Sequence, residues 1–164
     1  MAQEPKKMIK PDIGKVAPAF TTFDENGDKV ALKDFRGQNV VLYFYPKAMT
    51  PGCTVQAQAL RDHKKELAKL NTIAIGISPD APKRLLKFKE RDELNFTLLS
   101  DEDHAIAEKY GVWGLKKFMG KEYDGIHRTT FIINEKGKLV TILDKFKTKT
   151  HHEDVLDYIK EHMS

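Results

Sequence analysis

Val40-Val41-Leu42-Tyr43-Phe44-Tyr45, followed at once by Pro46-Lys47-Ala48-Met49-Thr50-Pro51-Gly52-Cys53-Thr54, is the run that decides the fold. Its first part is β-branched and aromatic, apolar on both faces, and predicts a strand in the middle of a sheet. Pro46 ends it, because proline has no N–H to give to a ladder. Beyond Gly52 the period changes. Val55, Ala59, Leu60, His63, Leu67 and Leu70 recur at three- and four-residue spacings, which predicts a helix over 52–70 with these residues as its inner face.

Outward from this unit the alternation continues. TIAIGIS at 72–78 reads as a second buried strand, closed by Ser78-Pro79-Asp80. Residues 82–94 form a lysine-rich amphipathic helix with Leu85, Leu86, Phe88 and Leu94 inward, and 96–99 a third strand. Ser100 and Asp103 suit a capping box opening a helix that ends near Tyr110-Gly111. The stretch 113–125 holds three glycines and no clean period, and reads as a long loop. Strands at 128–133 and 139–143 flank the turn Asn134-Glu135-Lys136-Gly137, and 151–162 closes the chain as an amphipathic helix.

Toward the N-terminus, 19–23 and 29–32 flank Glu25-Asn26-Gly27-Asp28, a hairpin signal. Residues 1–12 read as a flexible lead-in. Strand–helix alternation implies parallel pairing, and the last two strands make the sheet mixed. The expected fold class is therefore α/β: a central mixed sheet, helices on both faces, an N-terminal β-hairpin, and one domain over 1–164.

Composition narrows the function classes. The 164 residues are 40% hydrophobic and 32% charged, as in a soluble globular protein. No apolar stretch is long enough to cross a membrane, and no h-region follows the first lysines, so a cytoplasmic location is the default reading. The formal charge of +4 is spread along the chain without a nucleic-acid motif, which favours a solvated lysine-rich surface. The single cysteine excludes an internal disulfide and a thiolate zinc cluster.

A lone cysteine is ordinarily an inert, buried small hydrophobe. Cys53, however, falls after a strand and at the start of a helix, where unpaired N–H groups and the helix dipole favour a thiolate, the nucleophilic form. A cysteine placed there for packing alone should face the apolar stripe.

The run Pro46-x-x-x-Thr50-x-x-Cys53 is similar to the active-site signature of the peroxiredoxins. With LLSDEDHAIAEKYGVWG and YDGIHRTTFIIN downstream, the chain from about Ile13 onward resembles their bacterioferritin comigratory protein, or PrxQ, subfamily. The resemblance implies a thioredoxin-like fold and the reduction of hydrogen peroxide and organic hydroperoxides, with no metal, flavin or haem. It makes Cys53 the peroxidatic cysteine, Thr50 a hydroxyl that hydrogen-bonds the peroxide, Pro46 a shield over the thiolate, and Arg128 the active-site arginine.

Thiolate formation alone would not suffice for that chemistry. Lowering a thiol pKa from about 8.5 to about 6 raises the thiolate fraction at pH 7 roughly 30-fold. Nucleophilicity falls with a Brønsted slope near 0.45, which takes back about 13-fold and leaves a gain of only about twofold. The rest must come from donors at the oxygens where charge develops, and an arginine is suited to that.

Many members of the subfamily carry a resolving cysteine five residues after the first; here that place is Gln58. A one-Cys cycle is therefore expected, with the sulfenic acid meeting an outside thiol such as glutathione, glutaredoxin or thioredoxin, or Cys53 of a second copy. A monomer is expected otherwise. A thioredoxin-type disulfide oxidoreductase is disfavoured, because Gln56 stands where Cys-x-x-Cys needs its second cysteine. A non-enzymatic alternative is a redox-sensing or chaperone-like module forming intermolecular disulfides.

Three other features have bland readings. His151-His152 could ligate a metal, but adjacent helical residues diverge by about 100° and a surface helix-start role suits them better. His127 should face away from Arg128 if both lie in a strand. Trp113, Phe118 and Met119 could wall a pocket for larger hydroperoxides or simply pack as loop core.

Overall fold

The computed structural model describes residues 8–163. Its strands are β1 (Thr21–Asp24), β2 (Lys29–Ala31), β3 (Asn39–Phe44), β4 (Thr72–Ser78), β5 (Thr97–Ser100), β6 (Trp113–Phe118), β7 (Lys121–Ile126), β8 (Thr129–Ile133) and β9 (Leu139–Leu143). Its helices are α1 (Pro51–Asp62), α2 (Lys64–Lys69), α3 (Pro82–Arg91), α4 (Ala105–Lys109) and α5 (His151–His162), with a 3-10 turn at Leu32–Phe35.

Seven strands form one sheet in the order β2-β1-β5-β4-β3-β8-β9. The centre, β3-β4-β5, is parallel; β8 joins β3 antiparallel and β1 joins β5 antiparallel. All six residues of β3 are buried, as its unbroken apolar run predicts. Val41 and Tyr43 face a core shared with α1, α2, α3 and α5. Val40, Leu42 and Phe44 face a second core that includes Ile106 and Ala107 of α4. The expected mixed α/β sheet, with helices on both faces and the N-terminal hairpin, is present.

Three expectations fail, each for a local reason. The helix over 52–70 is two helices, broken where His63 adopts φ −108° and ψ 16°. The capping box at Ser100 is absent. Ser100 ends β5 and donates to the Asp80 carbonyl, while the Asp101 carboxylate takes the N–H groups of Ile106 and Ala107 at 3.0 and 2.8 Å. Asp101 thus satisfies two donors that a helix start leaves unpaired.

The loop expected at 113–125 is the β6–β7 hairpin. Its two-residue turn places Met119 at φ 50° and Gly120 at φ 78°, the pair of positive angles a tight hairpin needs. Lys121 to Asp124 are all exposed, so no polar–apolar alternation marks the strand.

Candidate active site

The loop between β3 and α1 is fastened to the neighbouring strand and helix. Asp80, just past β4, accepts the Ala48 N–H at 2.8 Å and the Ser78 hydroxyl at 2.7 Å on the same oxygen. Its other oxygen is 3.0 Å from Arg84 of α3, whose Nη2 also donates to the Ala48 carbonyl at 2.9 Å. Met49 then adopts φ 67°, a left-handed conformation that turns the chain toward α1.

Thr50 is the N-cap of α1 and Pro51 its first residue, a proline placement that suits the start of a helix. The Thr50 hydroxyl does not cap the helix; it donates to the Lys47 carbonyl at 2.8 Å. Its oxygen lone pairs are thereby left to accept. The Thr50 carbonyl receives the Thr54 N–H at 2.9 Å, the first bond of the helix. Pro46 is half-buried at the end of β3.

Cys53 is only 1% exposed and packs with Tyr43, Ala57 and Leu60. The stripe read from Val55 and Ala59 is misplaced: Val55 is 42% exposed, and the buried face of α1 carries Cys53, Gln56, Ala57 and Leu60. The cysteine therefore does face the core, contrary to the expectation for a reactive one. What distinguishes it from packing filler is its neighbour.

Arg128 immediately precedes β8 and is half-buried; its Nη2 donates to Cys53 Sγ at 3.3 Å and its Nη1 to Gln56 Oε1 at 2.9 Å. The antiparallel β3–β8 register, which sets Phe44 opposite Thr129, carries it to the end of β3 from which the Cys53 loop departs. Gly52 lies against the guanidinium, where a Cβ would sit 3.4 Å from Nη2, an ordinary contact. Thr50, Cys53 and Arg128 are thus gathered around one helix start.

Gln56 was not a sequence candidate. It is fully buried, and its only signal was its place one turn after Cys53 on the same helix face. Gln58 points elsewhere: its amide donates to Asp92 at the end of α3, at 3.0 Å.

Around the sulfur, Tyr43 is pushed well above the ordinary phenol range, chiefly by burial and then by Tyr45 and Cys53. His151 is pushed down to about 3, first by burial and then by His152 and Arg128. It is therefore a neutral ring, fully buried, sharing a 2.7 Å hydrogen bond with the Thr130 hydroxyl. This corrects the surface role expected of it. Among the described residues no group of three His, Cys, Asp or Glu side chains could hold a metal ion.

His127 and Arg128 lie between β7 and β8 rather than within a strand, and both line one cleft, so the expected opposition of their side chains is not found. Met119 is 85% exposed at the hairpin turn and Trp113 stacks on His104 at 3.8 Å, so neither walls that cleft; the Phe118 side chain lies outside the described residues. No helix is long and apolar enough to cross a membrane among the described residues.

Comparison with known proteins shows the family. The AhpC/TSA family matches residues 13–142. The chain is 58% identical over 148 residues to the putative peroxiredoxin bcp of Haemophilus influenzae, covering 90% of this chain and 96% of that one. It is 56% identical over 149 residues to peroxiredoxin Bcp of Escherichia coli, covering 91% and 96%. The solved bacterioferritin comigratory protein of Xanthomonas campestris, described for its alkyl peroxide reduction activity, superposes with a TM-score of 0.83 at 30% identity, over 88% of this chain and 92% of that one. The chain belongs to the AhpC/TSA family, and within it to the thioredoxin-fold peroxiredoxins of the bacterioferritin comigratory protein type.

Proposed function

We propose that the protein is a one-Cys thiol peroxidase acting on hydrogen peroxide and organic hydroperoxides. The observation that carries this reading is the Arg128 guanidinium 3.3 Å from Cys53 Sγ. In the first step the Cys53 thiolate attacks one peroxide oxygen. An S–O bond forms, the O–O bond breaks, and the leaving oxygen takes a proton and departs as water or an alcohol. Sulfur gives up two electrons and becomes a sulfenic acid.

Arg128 supplies fixed donors where negative charge grows on the oxygens, and a water-poor site makes each donor count for more. Thr50, its hydroxyl proton committed to Lys47, accepts from the peroxide O–H. Pro46 shields the sulfur. Gln56 holds Arg128 in place.

With Gln58 at the place of a resolving cysteine and no other cysteine in the chain, the reductant is an external thiol: glutathione, glutaredoxin or thioredoxin. The chain acts as one domain and as a monomer in a reducing, cytoplasmic compartment; residues 1–7 of the lead-in lie outside the described residues. The sensor alternative draws on the 1% exposure of Cys53, which slows resolution by any bulky thiol.

Peroxide consumption with each thiol system tests the reading. Many turnovers per protein, abolished by Cys53→Ser, are expected. Consumption of a single equivalent under every reductant would leave a sensor, and an unoxidised thiol would leave neither.

A further inference from the structure

A cleft of about 440 Å³ adjoins the site and is lined by Lys10, Lys116, His127, Arg128, Thr129 and Asp144, with Met8 and Gly111 completing it. That volume is typical of small-molecule sites. Arg128 is common to the cleft and the sulfur.

The charges of the cleft are unequally occupied. Lys10 pairs with Asp144 at 2.9 Å. Arg128 commits both terminal nitrogens to Cys53 and Gln56. Lys116 donates to the Ile126 carbonyl at 2.9 Å, and the ammonium has further protons to give. Burial and the Arg128 guanidinium push Lys116 below the ordinary lysine range, while the Cys53 sulfur pulls it up. It is a partly desolvated cation within electrostatic reach of both Arg128 and Cys53.

Oxidation alters that balance. When a Cys53 thiolate becomes a neutral sulfenic acid, a negative charge is lost beside Arg128 and Lys116, and the carboxylate that remains in the cleft, Asp144, is already paired with Lys10. The cleft is then most cationic in the state that awaits a reductant. Its size suits a small molecule or a short peptide.

We propose that the cleft seats the reductant: Lys116 receives a carboxylate of a small anionic thiol, whose sulfur then resolves oxidised Cys53. The inference rests on the one-Cys peroxidase reading. The incoming thiolate forms an S–S bond to Sγ and the S–O bond breaks; the departing hydroxide takes a proton and leaves as water. A second thiol molecule attacks the bound thiol's sulfur, Cys53 leaves as the thiolate, and the small disulfide departs with a proton released to solvent.

The test oxidises the full chain with one equivalent of hydrogen peroxide and follows, by mass, the removal of the added oxygen by glutathione, by glutathione diethyl ester and by cysteamine. Each rate is normalised to the same thiol's attack on a small free disulfide. The expected result is a five- to tenfold preference for glutathione over its ester at low salt, shrinking as salt rises, since charge attraction at a partly exposed site is screened. Lys116→Gln should bring the ratio near one, and Lys116→Arg should restore it.

Equal normalised rates, a preference that survives Lys116→Gln, or no removal of oxygen by any small thiol would overturn the proposal. So would a charge preference that appears instead in the peroxide step, with carboxylate-bearing against esterified hydroperoxides. If peroxide adds no oxygen at all, the peroxidase reading itself fails, and the two failures are told apart by mass before any thiol is added.

Discussion

Gln56 lies one helical turn beyond Cys53, and its side-chain oxygen takes a hydrogen bond from Arg128 Nη1 at 2.9 Å. The helix that carries the sulfur therefore also aims the cation that faces it. Gln56→Ala should lower the second-order rate of peroxide reduction about tenfold, because a loosened donor loses its alignment with the reacting oxygens. Gln56→Glu keeps an acceptor at the same place and should retain the helix–arginine link. Stopped-flow kinetics of both variants, with circular dichroism to check folding, would show it; an unchanged rate for the alanine variant would remove Gln56 from the site.

Arg128→Ala should slow the peroxide step by about 10²-fold or more, the scale on which a charged donor to a developing oxyanion acts. Arg128→Lys should recover only part of this, since an ammonium cannot hold Cys53 and Gln56 together with one planar fork. Single-turnover rates under excess peroxide are the measurement.

Gln58→Cys should convert the cycle to one with an internal disulfide. Residues five apart in a helix are separated by about 7.5 Å along its axis and point about 140° apart, while a disulfide wants its Cα atoms within about 7 Å. The bond therefore forms only if the start of α1 unwinds. After one equivalent of peroxide the expected mass change is a loss of two hydrogens, where the parent chain gains one oxygen.

Acid should destabilise the fold through His151. Its folded pKa is about 3, below the ordinary 6.5, so the unfolded chain binds the extra proton first. Stability from this group is complete above about pH 6.5 and declines as pH falls toward 3. Asp101 acts oppositely: burial raises its carboxyl, so that group favours the fold more as it protonates. Urea midpoints between pH 7 and 4 should fall, and His151→Gln, which can still bond Thr130, should flatten the slope while leaving the Asp101 contribution in place.

Much of this was legible in the chain. The central strands announce themselves by unbroken apolar runs, and both residues that meet at the sulfur lie in motifs. What stayed hidden follows from how burial is achieved. Gln56 is polar and carries no hydrophobic signal, yet it is fully buried, with Arg128 donating to its oxygen. His151 reads as an exposed helix-start residue, yet Thr130 and the rings of Tyr43 and Phe146 enclose it. The inner face of α1 was misplaced because the small, buried Ala57 carries less hydrophobic signal than the exposed Val55. The β6–β7 hairpin exposes most of β7, so periodicity had nothing to mark.

The clasp formed by Asp80 and Arg84 on Ala48 sets where the polypeptide can yield. Up to Ala48 the loop is fastened to β4 and α3, whereas beyond it the start of α1 is held by side-chain bonds, Thr50 to Lys47, Arg91 to Thr54 and Arg128 to Cys53, besides the helix's own. A bulky visitor seeking the sulfur gains entry by peeling back one turn, with the sheet left undisturbed. Stiffening that turn should therefore slow bulky thiols more than hydrogen peroxide, whose small size asks for less opening.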